Sequence, residues 1–131
     1  MDGGARGNPG PAGVGVVLTG DSGAEIDRAN AYIGETTNNV AEYRAVLLGL
    51  DRARALGVRE LEIVNDSELI AKQLTGEYRV KNEQLRMLHA QARDALSGFE
   101  RWSIRSVPRA KNEVADALVN EAIDARDSTA G

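Results

Sequence analysis

Apolar residues fall into short runs separated by turn-forming residues, and their period alternates between that of a strand and that of a helix. After a glycine-rich opening, Val14 to Leu18 form an apolar run, Gly20-Asp21-Ser22-Gly23 reads as a turn, and Glu25 to Ile33 as the return strand of a hairpin. Thr37 and Asn38 supply cap chemistry for a long helix predicted from about Asn39 to Leu56 and closed by Gly57. Leu61-Glu62-Ile63-Val64 reads as a strand, and Ser67 opens a short helix ending near Leu74 and Gly76. Leu85, Leu88, Ala92 and Ala95 recur at helical spacing between Gln84 and Leu96. Trp102 to Val107 alternates as a strand halted by Pro108, and Asn112 caps a last helix predicted to reach about Ala125.

A hairpin followed by alternating helices and strands predicts an α/β fold. The expected architecture is a mixed five-stranded sheet, an antiparallel meander and then parallel strands, with helices on both faces. The 131 residues suit one compact domain, placed at 1–125, with 126–131 as a flexible tail or the start of a linker. Cysteine is absent, so neither disulfides nor thiolate metal sites are available, and a reducing, cytoplasmic setting is expected. The opening residues lack the apolar core of a signal peptide, and no run approaches a membrane span, so no membrane partner is expected.

Four acidic residues change the picture. Asp2 stands before two glycines, Glu42 in Thr-Thr-Asn-Asn-Val-Ala-Glu-Tyr, Asp66 in Ile-Val-Asn-Asp-Ser, and Asp116 in Asn-Glu-Val-Ala-Asp-Ala-Leu. Carboxylates without cysteine, and with a single histidine, suit hard cations such as Mg²⁺ that prefer oxygen ligands. The combination points to metal-assisted phosphoryl chemistry on a nucleic acid. The net charge of −4 argues against such a partner at first sight, but setting the four acids aside leaves the rest of the chain neutral. Arg79 with Lys81, and Arg105, Arg109 and Lys111, are grouped basic residues that can track phosphate, although such groups are more often solvated surface.

Each acid also has a plainer reading. Asp2 fits a turn and Asp66 a helix cap. Glu42 resists the plain account, because its helical neighbours Ala45, Val46 and Gly49 form a small, apolar face, and a buried acid needs a partner or a metal. Asp116 sits between Ala115 and Ala117, with Asn120 leaving its facing mixed.

These segments in this order resemble the type 1 ribonuclease H family: Asp2-Gly-Gly with Gly7-Asn8-Pro9-Gly10-Pro11, Thr36-Thr37-Asn38-Asn39 with Glu42, Asp66-Ser67, and Asn112 to Asp116. The short Pro108-Arg109-Ala110-Lys111-Asn112 loop and the lack of a basic protrusion look like the compact prokaryotic forms, some of them fused to a second enzymatic domain. The resemblance implies hydrolysis of the RNA strand of RNA–DNA hybrids with two Mg²⁺ ions, Mn²⁺ being able to substitute. It implies that Asp2 bridges the ions, that Glu42 and Asp66 complete the leaving-group site, and that Asp116 completes the nucleophile site. Asparagine can both donate to and accept from a 2′-hydroxyl. The resemblance implies that Asn8 with Asn38 or Asn39 grips ribose and that Thr37 belongs to a pocket for a DNA-strand phosphate. A monomer is expected, with the possibility of a fused domain.

The chain departs from the family pattern twice. The loop before Asp116 carries no histidine, and His89 lies in the Gln84–Leu96 helix, where packing or surface is the expected role. Only Met1 stands where the family has several apolar residues before its first aspartate, so the first strand is expected to be nearly missing, with Asp2 at its end. Two alternatives keep the fold: a nuclease with another substrate, and a non-catalytic hybrid-binding domain. A carboxylate cluster is of no use to a pure binder, which disfavours the latter.

Overall fold

In the computed structural model, which describes residues 1–130 and side chains through Arg126, five strands and four α-helices follow one another. They are β1 (Asp2–Ala5), β2 (Gly10–Thr19), β3 (Glu25–Thr36), α1 (Asn38–Ala55), β4 (Glu60–Asn65), α2 (Glu68–Thr75), α3 (Glu83–Leu96), β5 (Arg101–Ser106) and α4 (Glu113–Ala130). Strands β1, β2 and β3 form an antiparallel meander, while β4 and β5 pair in parallel. The two ladders meet where the Met1 amino group donates to the Val64 carbonyl at 2.9 Å, so the mixed α/β layer expected from the sequence is present, joined by one hydrogen bond. Among the described residues no helix is long and apolar enough to cross a membrane.

Local chemistry accounts for the helix boundaries. Thr37, Ser67 and Asn82 accept hydrogen bonds from the backbone N–H groups of Val40, Ile70 and Leu85, satisfying donors that each helix leaves open at its start. Gly76 ends α2 in the left-handed region at φ 87°, where a side chain would be strained. Helix α4 continues to Ala130, past the end near Ala125 predicted from the sequence. It therefore overlaps the tail expected at 126–131, of which Gly131 lies outside the described residues.

Alternation along β2 divides the molecule into two layers of packing. Val16 and Leu18 enter the main core with Val46 and Leu50 of α1, Ile63 of β4, Ile70 and Leu74 of α2, and Leu85 and Leu96 of α3. Gly13 and Gly15 face the other way, onto α4, whose Ala115 and Val119 carbonyls lie too close to admit a Cβ. On that side Ala115, Leu118, Val119, Ala122 and Ile123 are buried. Asp27 on β3 receives both Nε and Nη2 of Arg52 at 2.8 Å, a two-pronged tie to α1.

The opening of the chain differs from expectation. The glycine-rich stretch is itself the strand, and Asp2 stands at its beginning instead of its end. Glycine makes this possible: a Cβ on Gly3 would collide with the Ala41 backbone, so only a bare strand can lie against α1 there. Upstream of Asp2, Met1 lies between β4 and the start of α4, held by Val64 and Asn112. A groove of about 670 Å³ runs between β2 at Val17–Thr19 and β4 at Glu60–Val64, with exposed Ile26 and Val114 at its rim.

Extending the N-terminus by six or seven alternating β-branched residues is expected to fill the groove with a strand. The melting midpoint should then rise by roughly 5 °C, reflecting several backbone hydrogen bonds of about 1 kcal/mol each that are partly offset by ordering. An unchanged midpoint in calorimetry would mean that the groove does not accept a strand.

Candidate active site

Four different elements deliver the four acids to one place. Asp2 opens β1, Glu42 lies in the second turn of α1, Asp66 follows β4, and Asp116 lies in the first turn of α4. All four line a single cleft of about 450 Å³. The close approach of β1 to α1 through Gly3 brings Asp2 beside Glu42, and Ser67, by capping α2, fixes the bend that carries Asp66.

Burial sets the electrostatics. Asp2 is only 7 % exposed, and its pKa is pushed up to about 8, first by burial, then by the Asp66 charge and a hydrogen bond with Asp116, with Arg109 opposing. Burial also lifts Glu42 to about 7, against a hydrogen bond from Ser67 and with help from Asp66. Arg109 Nη2 lies 3.2 Å from Asp116 Oδ1.

Among the described residues no three acidic or histidine side chains close around a single point. The carboxylates share the cleft without being gathered into a coordination shell; Asp116 pairs with Arg109 and Glu42 is hydrogen-bonded by Ser67. Glu42 Oε2 nevertheless remains buried with no hydrogen-bond partner. An orphaned carboxylate oxygen amid all-oxygen donors of raised proton affinity fits a hard divalent cation such as Mg²⁺.

Residues 1–122 match a family model described as reverse transcriptase-like. The ribonuclease HI of Halobacterium salinarum is 48% identical over 124 residues, which cover 95% of this chain and 62% of that protein. The bifunctional protein Rv2228c of Mycobacterium tuberculosis is 47% identical over 125 residues, covering 95% of this chain and 34% of that one. The solved structure of LC11-RNase H1 in complex with an RNA/DNA hybrid superposes with a TM-score of 0.91 at 45% identity, covering 95% of this chain and 94% of that one. This chain belongs to the type 1 ribonuclease H family. It spans less than two thirds of the length of the two curated relatives.

Within this ribonuclease H fold, Asn38 alone of the predicted substrate residues lines the cleft among the described residues, while Asn8, Asn39 and Thr37 stand beyond its wall. Asn38 Oδ1 accepts from Ala5 N–H at 2.8 Å, and Asn38 N–H donates to Asn8 Oδ1 at 3.1 Å, so the glycine-rich loop is tied to the start of α1. Asn38 lines the same cleft as the acids. Asn39 is half-buried in the first turn, and Thr37 Oγ1 serves as the helix cap at 3.3 Å. His89 lies elsewhere, its Nε2 2.9 Å from the Gln73 carbonyl and its ring edge-on to buried Tyr43, a packing role as expected.

Sequence reasoning left the part of Arg109 open, and the structure puts it on the cleft wall, while Lys111 lines the groove on the far side of Met1. Arg6 and Asn120 also border the cleft and were not singled out from the sequence. Arg6 pairs with Asp124 at 2.7 Å, and glycine-rich surroundings gave no periodic signal to mark it.

Raised carboxyl pKa values have a definite sign for stability. The folded protein holds protons on Asp2 and Glu42 that the unfolded chain releases near 3.8 and 4.5, so the contribution of these two groups to stability is fully present below those values. It falls as pH climbs towards about 7 and then about 8. In EDTA the melting midpoint should drop by on the order of 5 °C between pH 5 and pH 8. Asp2→Asn should flatten that slope, and a wild-type midpoint rising across this range would contradict the account.

Proposed function

We propose that this domain is an endoribonuclease that hydrolyses the RNA strand of RNA–DNA hybrids, leaving 5′-phosphate and 3′-hydroxyl ends. The observation that carries the reading is a single cleft walled by four carboxyl groups from four elements and bordered by the Asn8–Asn38 tie. The relative solved with an RNA/DNA hybrid supports the choice of substrate.

Asp2, Glu42, Asp66 and Asp116 would hold two Mg²⁺ ions, with Mn²⁺ able to substitute. When bound, the ions supply an activated water and charge compensation at the leaving 3′-oxygen. The chain's own residues divide accordingly. Asp2 feels both Asp66 and Asp116, which supports its role as the shared ligand; Glu42 couples to Asp66, on the leaving-group side. Asp116, which we assign to the nucleophile side, pairs with Arg109. The protons held by Asp2 and Glu42 must leave as the cations enter, and Arg109 must let go of Asp116.

Ribose recognition falls to the asparagines. With its Oδ1 engaged by Ala5, Asn38 keeps an amide N–H₂ to offer a 2′-hydroxyl, and Asn8 keeps its own in the same way. Asn39 extends this surface. Thr37 Oγ1 accepts from Val40 but retains its O–H for a DNA-strand phosphate, at a helix N-terminus that favours an anion. We place the domain at 1–125 in the cytoplasm as a monomer, with 126–131 as a tail or the start of a linker; the bifunctional relative, matched over a third of its length, supports a fused arrangement as the alternative.

Asp66→Asn keeps size and removes charge. Cleavage of a labelled hybrid in Mg²⁺ should fall to background while hybrid binding in Ca²⁺ persists, and undiminished cleavage would reject the metal assignment. A single deoxyribonucleotide at the scissile position should block cutting there, and Asn8→Ala should slow hybrid cleavage about tenfold, the worth of one good hydrogen bond. Equal cutting of duplex DNA would overturn the 2′-hydroxyl reading.

A further inference from the structure

Met1 is gripped at both ends of its backbone. Its amino group donates to the Val64 carbonyl at 2.9 Å, and its carbonyl accepts from Asn112 Nδ2 at 2.7 Å. Asn112 is 8 % exposed. Its own N–H closes a 3₁₀ turn on the Arg109 carbonyl at 2.9 Å, and its carbonyl accepts from Asp116 N–H at 3.1 Å, opening α4. Three of the four acids therefore depend on the surroundings of one residue. Asp2 is joined to Met1 by a peptide bond, Asp66 stands two residues beyond Val64, and Asp116 stands one helical turn beyond Asn112.

An asparagine before a helix is expected to cap it, and the other three pre-helix polar residues do so. Thr37, Ser67 and Asn82 each accept from the N–H three residues ahead. The bond made by the Asn112 amide runs the opposite way, outward to β1. Its effect is not to start the helix but to fasten the helix to a strand.

We propose that Asn112 is a positioning residue that sets the separation of Asp2 and Asp116, and through it the affinity of the cleft for divalent ions. The inference rests on the metal-dependent reading above. Asp2 opens a strand and Asp116 lies in the first turn of a helix, and the Asn112–Met1 bond ties the residue before that helix to the residue before that strand. The Asn112–Met1 bond is short and made by a buried side chain, so it resists separation of the two elements. Without it Asp2 and Asp116 would part, and the site would have to be drawn together by each ion that binds.

The test measures metal binding without substrate. Purified protein is titrated with Mn²⁺, and free ion is followed by electron paramagnetic resonance. Asn112→Leu preserves bulk and charge but removes the donor, and should raise the Mn²⁺ midpoint about fivefold, the scale of one lost buried hydrogen bond. Leu96→Ala, in the α3 core away from the cleft, serves as a stability control and should lower the melting midpoint while leaving the Mn²⁺ midpoint where it is. An unchanged midpoint in Asn112→Leu, or an equal shift in the control, overturns the positioning role. If Asn112→Leu does not fold, Asn112→Ser, whose hydroxyl falls short of Met1, is read with the same expectation, and wild-type affinity in that variant rejects the proposal. Wild-type protein that binds no Mn²⁺ at all would reject the metal reading itself, a different result from either.

Discussion

Carboxyl groups packed into a site from which water is largely excluded repel one another and lose hydration, and both effects work against folding. Asp2, with its proton affinity raised far above normal, shows how strongly this constraint acts. The fold answers it with rigid attachment. Each acid is carried at or near the end of a regular element, and each element is locked by features remote from the charge: the Asp27–Arg52 tie behind α1, the Ser67 cap under Asp66, and bare glycines where β1 touches α1 and β2 touches α4. A looser scaffold would relax the repulsion by letting the carboxylates swing into solvent. The raised proton affinities of Asp2 and Glu42 and the pairing of Asp116 with Arg109 work against the repulsion.

Much of this was legible in the sequence, and the reasons differ from segment to segment. Helix α1 announced itself through its cap, its closing Gly57 and an apolar face, and Glu42 stood out because an acid on that face needs a reason to be there. Helix α2 was marked by Ser67 and Gly76. The hairpin was visible from its turn, although β2 begins earlier, at Gly10, and β3 ends later, at Thr36, than the apolar runs suggested. Backbone pairing continues where small residues replace large ones, and hydrophobic period cannot register that.

The strand β1 was not legible, for the same reason in a stronger form. Asp-Gly-Gly-Ala has no alternation to read, and its strand character comes from backbone pairing with β2 and close packing on α1 that exist only in the folded molecule. The placement of Arg109 was hidden differently. A 3₁₀ turn closed by Asn112 directs its side chain onto Asp116, and the sequence shows only a basic residue in a loop. Resemblance supplied the identity of the four acids and the order of the elements; only the structure could reveal which neighbours hold them.

The open groove between β2 and β4 bears on how copies of the molecule treat each other. Backbone edges left without a neighbouring strand invite pairing with another chain, and apolar Ile26 and Val114 at the rim make the invitation stronger. Asp21, Glu60, Glu62 and Glu113 line the same groove against Arg105 and Lys111, so it is acidic on balance, as is the molecule as a whole. A second copy approaching this edge therefore meets charge of its own sign, a barrier that acts over about 8 Å at physiological ionic strength and shortens as salt is added. Self-association of this domain should accordingly be governed by ionic strength, with acidic guards on the groove walls serving as its colloidal brake.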